Sequence, residues 1–422
     1  MKVLVLGDGG REHAIIWKLS RSKNIEKIYC CPGNAGITSY AECIELNNGN
    51  LDALVDFVKY EWIDLVFIGS EKFITQDAVS LFRREGCRVI GPDLKAFRLQ
   101  SSRVFTHDLF KFYGIPMPEY KTFSAFLHAF DYIMLKGAPV LIKTDGRIQN
   151  AGIFQAQTVD EAIYALKQIM KEKILNDAGN HIIISEIPRG LKLSFVFLTD
   201  GNNLRHLATV RKKIANNIFS KTLMCFSQEQ IIIEEIKDIL NRKVISPFLD
   251  AINSEGIKFK GIFSMDLFLN DGQIFFNDIN CTFDYLEAQT ILPLMKTDLM
   301  DIFTAIMDER LDNIEIKMED KMSLTTMIFS ENDKNIISGI DALDEDIHVF
   351  HENTCFSNND IVTNGNQVLS INVVSNSKDE LIQKTVSVLN KIKFKGIKYE
   401  FDKDFISKGG LIEGTGFDCN GK

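Results

Sequence analysis

The chain has 422 residues, 45% hydrophobic and 25% charged, enough apolar material for roughly two to four compact units. Its net charge of −9 and pI near 5.4 exclude a general electrostatic attraction to nucleic acid or to an anionic membrane. No apolar run of about 18 residues offers a membrane span.

In chain order, KVLVL (2–6) is an apolar run ending at Gly7, and REHAIIWKLSRS repeats apolar residues at helical spacing. That predicts a buried strand, a glycine turn and a helix. IEKIYCC predicts a second strand before Pro32, LDALVDFVKYEW a helix, IDLVFIG a strand ending at Gly69, AVSLFRREG a helix and CRVIGP a strand. Strands alternating with helices imply a parallel, doubly wound α/β sheet.

The pattern changes near residue 102. A helix and a proline-spaced connector lead into APVLIKTDG, VDEAIYALKQIMKEK and HIIISEI, a small α/β lobe. LSFVFLTDG, LRHLATVRK, FKGIFSMDLFLNDG and QIFFNDIN then predict antiparallel strands, with hairpin turns at Asp200-Gly201 and Asp271-Gly272. Beyond about 320, SLTTMIF, DIHVFHENTC, DIVTNG, QVLSINVVS and a helix over KDELIQKTVSVLNKI describe a further mixed unit. The expected division is 1–102, 103–190, 191–320 and 321–422.

Cys30, Cys31, Cys43, Cys87, Cys225, Cys281, Cys355 and Cys419 form no C-x-x-C pair and have no metal-ligand spacing to histidine. Reduced thiols are expected. The chain opens directly on a strand with no leader-like segment, which points to a cytoplasmic protein.

The loop Gly7-Asp8-Gly9-Gly10-Arg11-Glu12-His13 lies between the first strand and first helix, where backbone N–H groups can receive a phosphate or carboxylate. It lacks the third glycine of a dinucleotide fingerprint. A tight strand-to-helix turn explains it as well. The loops at Gly33-Asn34-Ala35-Gly36 and Gly69-Ser70-Glu71 follow the next strands, and all three are expected at one carboxyl edge of the sheet, where such folds bind ligands.

GDGGREHAI, PGNAGI, IDLVFIGSE, VIGP, KGAPVLIKTDG, GIFSMDLF, INCTF, LEAQTILPLMKTDLMD and VTNGNQVLSINVVS stand in order across the chain. In these segments it resembles the phosphoribosylamine–glycine ligase family. The resemblance implies an ATP-grasp ligase with a carboxyl-terminal mixed α/β domain. ATP and Mg²⁺, with Mn²⁺ as a substitute, lie between two α+β lobes, and glycine is activated as an acyl phosphate for attack by the amine of 5-phosphoribosylamine. Association with other purine enzymes is a further expectation, and no nucleic acid or membrane partner is expected.

By the resemblance, Gly9, Gly10, Arg11, Glu12, Gly33, Asn34, Gly36, Gly69 and Glu71 bind the phosphoribosyl substrate. Lys143 reaches the ATP phosphates, with a solvated strand-end lysine as the plainer alternative. Arg103 replaces a family lysine with a broader planar cation. Of a Gly-Lys-Gly phosphate loop this chain keeps only Gly152, in Asn150-Ala151-Gly152. At the adenine hinge Glu186 survives as the acid beside Ile187, while Pro188 lacks an N–H, and Leu191 and Lys192 offer no acceptor to ribose hydroxyls. Asp278 and Asn280 take the places of a metal-binding Glu-x-Asn pair, on one face of a strand by its two-residue period. Glu287 ends a loop in which Thr282-Phe283-Asp284-Tyr285-Leu286-Glu287 replaces Arg-Phe-Gly-Asp-Pro-Glu. The family's long glycine-rich loop gives way to the basic stretch Arg211–Phe219, expected either to hold phosphate or to be a solvated face. Three readings follow: an active ligase built on Arg103, Lys143, Asp278, Asn280 and Glu287; a ligand-binding protein without turnover that regulates or scaffolds; and an ATP-grasp ligase for another carboxylate and amine.

Overall fold

The computed structural model describes residues 1–402 apart from 46–49, 149–150, 214–221, 226–235, 341–342 and 345. Asn150, residues 214–219 of the basic stretch and Cys419 thus lie outside the described residues.

The first sheet is parallel, ordered β3-β2-β1-β4-β5, from β1 (Lys2–Gly7), β2 (Lys27–Pro32), β3 (Glu42–Cys43), β4 (Leu65–Ile68) and β5 (Val89–Ile90). Side chains of β1 alternate between two cores. Val3 and Val5 pack toward α1 (Gly10–Leu19) and the helix Leu299–Met307, whereas Leu4 and Leu6 join Leu54, Val79 and Phe82 on the other face. Burial on both faces explains why the strand is continuously apolar.

The second sheet is antiparallel, ordered β6-β9-β7-β8: β6 (Tyr120–Phe123), β7 (Val140–Ile148), β8 (Ala151–Ala156) and β9 (Ile182–Ser185). Its core gathers Ile142 and Ile184 with Ile133 and Ala162 from the helices Phe126–Lys136 and Val159–Leu166. Thr158 caps the latter by accepting from Glu161 N, and Ser102 likewise caps the helix Arg103–Phe112 through Phe105 N.

Among the described residues the third sheet has nine strands, eight along the path β14-β13-β10-β11-β12-β15-β19-β16 and β20 (Ile397–Lys398) beside β15. Its strands are β10 (Leu191–Thr199), β11 (Leu204–Lys212), β12 (Thr222–Cys225), β13 (Gly261–Asn270), β14 (Gln273–Asn280), β15 (Met322–Ser330), β16 (Ile347–His351) and β19 (Gln367–Ser375). A separate hairpin pairs β17 (Thr354–Ser357) with β18 (Asp360–Thr363). At the β13–β14 turn Asp271 and Gly272 have φ of 47° and 71°, the left-handed pair that a two-residue hairpin requires. Antiparallel pairing of β12 with β15 carries the sheet across residue 320. No helix among the described residues is long and apolar enough to cross a membrane.

Candidate active site

The three glycine loops meet at the carboxyl edge of the first sheet, the first and third of them closing on the buried Glu12. Its carboxylate accepts from Gly9 N at 3.1 Å and from Arg11 Nε at 2.7 Å. A Cβ at Gly7 would lie 2.5 Å from Glu12 Cγ, and one at Gly69 2.5 Å from Glu12 Oε1. Glycine lets these backbones close around the carboxylate. Gly10 N donates to Glu352 Oε2 at 2.8 Å, so the amino end of α1 is already served by two carboxylates of the chain.

The other loop residues are tied in the same way. Asn34 donates to the carbonyls of Asp8 and His351 at 2.7 and 2.8 Å, and its Oδ1 accepts from Gly36 N at 3.0 Å. Gly33 has φ +78°, and a Cβ there would lie 2.4 Å from Cys43 Sγ. Glu71 accepts from Gln100 Nε2 at 2.6 Å, and Gln100 Oε1 accepts from Cys281 N at 2.7 Å, which joins the third loop to the end of β14. Arg11 reaches across to Thr282 Oγ1 and Phe283 O, both at 3.0 Å. His13 is neutral, its pKa held well below the ordinary value by burial, and its Nδ1 accepts from His351 N at 2.9 Å.

Between the second and third sheets, Lys143 on β7 and Arg103 at a helix start converge on β14. Lys143 Nζ donates to Asn277 O at 3.1 Å and to Asn277 Oδ1 at 3.0 Å. Arg103 donates to Thr144 O at 2.8 Å, and its Nε lies 3.6 Å from Asp278 Oδ2. Asp278 pairs with Asp266 and Asn280 with Ser264 across β13–β14. Both Asp278 and Asn280 are buried. His107 stands beside this group, its pKa lowered to about 3 by burial and then by the Lys143 charge. Gly152 has φ +83°, and a Cβ there would lie 2.4 Å from Thr144 Oγ1. The hinge residues are set apart: the exposed Glu186 pairs with Lys136 Nζ at 3.2 Å, and the half-buried Ile187 follows it.

Neither expectation for the basic stretch holds at Lys212. It is 7% exposed and is neither a solvated residue nor an open cation, because its Nζ lies 2.7 Å from Asp266 Oδ1, 2.6 Å from Asp284 Oδ2 and 3.0 Å from Glu287 Oε1. Burial by itself disfavours the ammonium, but the three carboxylates outweigh it and hold its pKa well above the ordinary lysine value. Lys192 adds a second cation, 3.0 Å from Asp266 Oδ2. Lys213 pairs with Glu400 and, at 3.2 Å, with Asp402.

Among the described residues, two places bring together oxygen donors of the kind a divalent ion takes. Asp266, Asp284 and Glu287 bring carboxylate oxygens within 4.8 Å of one another, but the Lys212 ammonium stands among them, so this cluster does not suit a further cation. Asp278 and Asn280 supply a hard-oxygen pair beside Lys143 and Arg103, a donor set that suits Mg²⁺.

Sequence reasoning missed Asp266, Gln289 and Glu352 and misjudged Lys212. Charged residues inside otherwise apolar strands, as at Asp266 in GIFSMDLF, were the available signal. Nothing local marks Glu352, which lies 342 residues from the Gly10 it touches.

Family models described as "Phosphoribosylglycinamide synthetase, N domain" and "Phosphoribosylglycinamide synthetase, ATP-grasp (A) domain" match residues 1–100 and 101–288. Phosphoribosylamine–glycine ligase of Caldanaerobacter subterraneus is 32% identical over 413 residues, spanning 95% of this chain and 99% of the relative. That of Vibrio parahaemolyticus is 31% identical over 417 residues, spanning 95% and 97%. The crystal structure of phosphoribosylamine–glycine ligase from Thermotoga maritima superposes with a TM-score of 0.77 at 20% identity, covering 94% of this chain and 99% of that one. A biotin carboxylase complex from Campylobacter jejuni gives 0.72 at 15% identity, covering 96% and 94%; these two likenesses are of fold, and the ATP-grasp match is that of residues 101–288. Sequence matches that run almost end to end, on a fold of this kind, make the chain a member of the phosphoribosylamine–glycine ligase family.

Proposed function

We propose that the protein is an ATP-dependent carbon–nitrogen ligase that joins glycine to 5-phosphoribosylamine in purine biosynthesis. The observation that supports it is the convergence of Lys143 and Arg103 on the Asn277–Asn280 end of β14, between two antiparallel sheets. In this reading the glycine carboxylate attacks the terminal phosphorus of ATP, releasing ADP and forming glycyl phosphate. The amine of phosphoribosylamine then attacks the acyl carbon, phosphate leaves, and an amide remains. Lys143 and Arg103 neutralise charge on the transferring phosphoryl group, and the backbone at Gly152 approaches the phosphates. Glu186 and Ile187 flank the adenine. Asp278 and Asn280 would hold Mg²⁺, which supplies Lewis-acid polarisation of phosphoryl oxygens. Glu287 acts through its loop by accepting from Asp284 N at 2.7 Å. The reading carries with it a cytoplasmic location, the four-part division of the chain and association with other purine enzymes.

A second reading is a catalytically impaired member of the family that binds a phosphoribosyl ligand and regulates or scaffolds. It is favoured by the Lys212 ammonium, which fills the cluster at the substrate loop. ADP release that requires both glycine and freshly generated phosphoribosylamine supports the ligase. No release at high enzyme and Mg²⁺, together with no ATP binding by calorimetry, selects the second reading.

A further inference from the structure

A phosphate arriving at Gly9–Gly10 would meet donors that the chain has already engaged. Gly10 N donates to Glu352 Oε2 at 2.8 Å and Gly9 N to Glu12 Oε2 at 3.1 Å. The approach of Glu352 needs the missing side chain at position 10, where a Cβ would lie 2.2 Å from Glu352 Oε1. Glu352 Oε1 also accepts from Gln289 Nε2 at 3.0 Å. Gln289 is 1% exposed, and among the described residues its Oε1 has no hydrogen-bond partner. A buried acceptor beside the helix end thus points to a missing donor, such as a protonated acid or a ligand hydroxyl.

Glu352 is not a loose surface side chain that happens to fold inward. Its own N–H donates to Val368 O at 2.8 Å, and Asn34 Nδ2 donates to the carbonyls of His351 and Glu352 at 2.8 and 3.2 Å. Ala35 N donates to Thr354 O at 3.3 Å, and His351 N to His13 Nδ1 at 2.9 Å. The segment after β16 is therefore latched to the second glycine loop and to α1. Arg11 is turned to Glu12, Thr282 and Phe283, and Lys72 acts on Asp8 at the other side of the loop. A phosphate dianion would face two carboxylates at short range, and like charges so close repel strongly in a buried setting.

We infer that Glu352 is a tethered anion that occupies the anion-accepting amino end of α1 and excludes free phosphate from Gly9–Gly10. The inference rests on taking that loop as the phosphoribosyl end of the site. It makes Glu352 a specificity-determining residue: a phosphorylated ligand enters there only when the segment bearing Glu352 moves away, whereas a neutral hydroxylated ligand is not opposed by its charge.

The test uses the full chain without ATP or glycine at about pH 8, where the buried Glu352 carboxyl is ionised. Inorganic phosphate and ribose 5-phosphate are titrated into wild type, Glu352→Ala and Glu352→Gln, with affinity read by calorimetry and location by the amide resonances of Gly9 and Gly10. Glu352→Ala is expected to bind both probes about tenfold or more tightly than wild type, with both amides shifting. Glu352→Gln is expected in between, because it removes the charge and keeps the shape; should Glu352→Ala fail to fold, this variant decides alone by its gain over wild type. Wild type that shifts both amides and binds as tightly as the variants overturns the inference, as does a variant with no gain. Since ligase turnover plays no part in the readout, an inactive wild type with a phosphate gain in Glu352→Ala would sink the ligase reading and leave this one standing.

Discussion

Lys212 Nζ and Glu287 Oε1 lie 3.0 Å apart, and both side chains are buried. One ammonium serves Asp266, Asp284 and Glu287 together, while Ser194 Oγ donates to Glu287 Oε1 at 2.6 Å. Replacing Lys212 with an isosteric apolar chain leaves the buried Glu287 without a cation and the buried Asp266 with Lys192 alone, beside the half-buried Asp284. Lys212→Met should cost about 3–5 kcal/mol of stability, the usual loss on breaking a buried pair from one side. Urea denaturation at pH 7 checks this, and a midpoint equal to wild type would contradict the cluster's structural role.

Removal of Lys143 should fall on nucleotide binding rather than on the fold. Lys143→Ala is expected to weaken ATP–Mg²⁺ binding by about 10- to 100-fold, the equivalent of one charged hydrogen-bonding partner at roughly 1.5–3 kcal/mol. Calorimetric titration beside a thermal melt separates the two effects. Equal ATP affinity in variant and wild type would remove Lys143 from the phosphate site.

Glu352 gives stability a pH dependence of predictable sign. Burial pushes its pKa up to about 7 from an ordinary 4.5; the Gly10 N–H and Arg11 oppose the rise and Glu12 adds to it. Between about pH 4.5 and 7 the native protein therefore holds a proton that the unfolded chain has already released, and above about 7 Glu352 is the carboxylate that accepts from Gly10 N. The stability this contributes is full below the unfolded value and lost as pH rises through about 7. The difference is on the order of 3 kcal/mol. Glu352→Gln should flatten the stability curve between about pH 5 and 8. Parallel denaturation curves for the two proteins across that interval would refute it.

Gly10 and Glu352 should be energetically coupled. A Cβ at position 10 overlaps the Glu352 carboxylate, so Gly10→Ala should destabilise wild type by about 1–3 kcal/mol through overpacking. In a Glu352→Ala background most of that cost should vanish. A double-mutant cycle reads the coupling, expected at roughly 1 kcal/mol or more; additive losses would place the strain elsewhere.

Much of the architecture was legible beforehand because its signals are local. Continuous apolar runs at 2–6 and 65–68 announced strands buried on both faces, and Asp271-Gly272 announced a left-handed two-residue turn. Asn50, Asp93, Ser102, Thr158, Asp298 and Ser377 each cap a helix by accepting from backbone N–H groups two or three residues on, a distance the sequence itself fixes. The short strands β3 and β20, of two residues each, carry too little pattern to be read and exist through their partners in the sheets.

The sequence by itself determined the parallel first sheet, the antiparallel sheets after it and the convergence of three glycine loops on one edge, because periodicity and turn chemistry act within a few residues. Only the tertiary structure decided what those loops hold. Whether a backbone N–H at Gly10 waits for a ligand or already has an anion depends on Glu352, brought back by β16 and latched through Asn34. Whether Lys212 is a solvated cation likewise depends on Asp266 arriving from β13 and on Asp284 and Glu287 arriving from the segment after β14. Charge pairing in a buried site is set by distance in space, and a residue's neighbours in the chain do not report it.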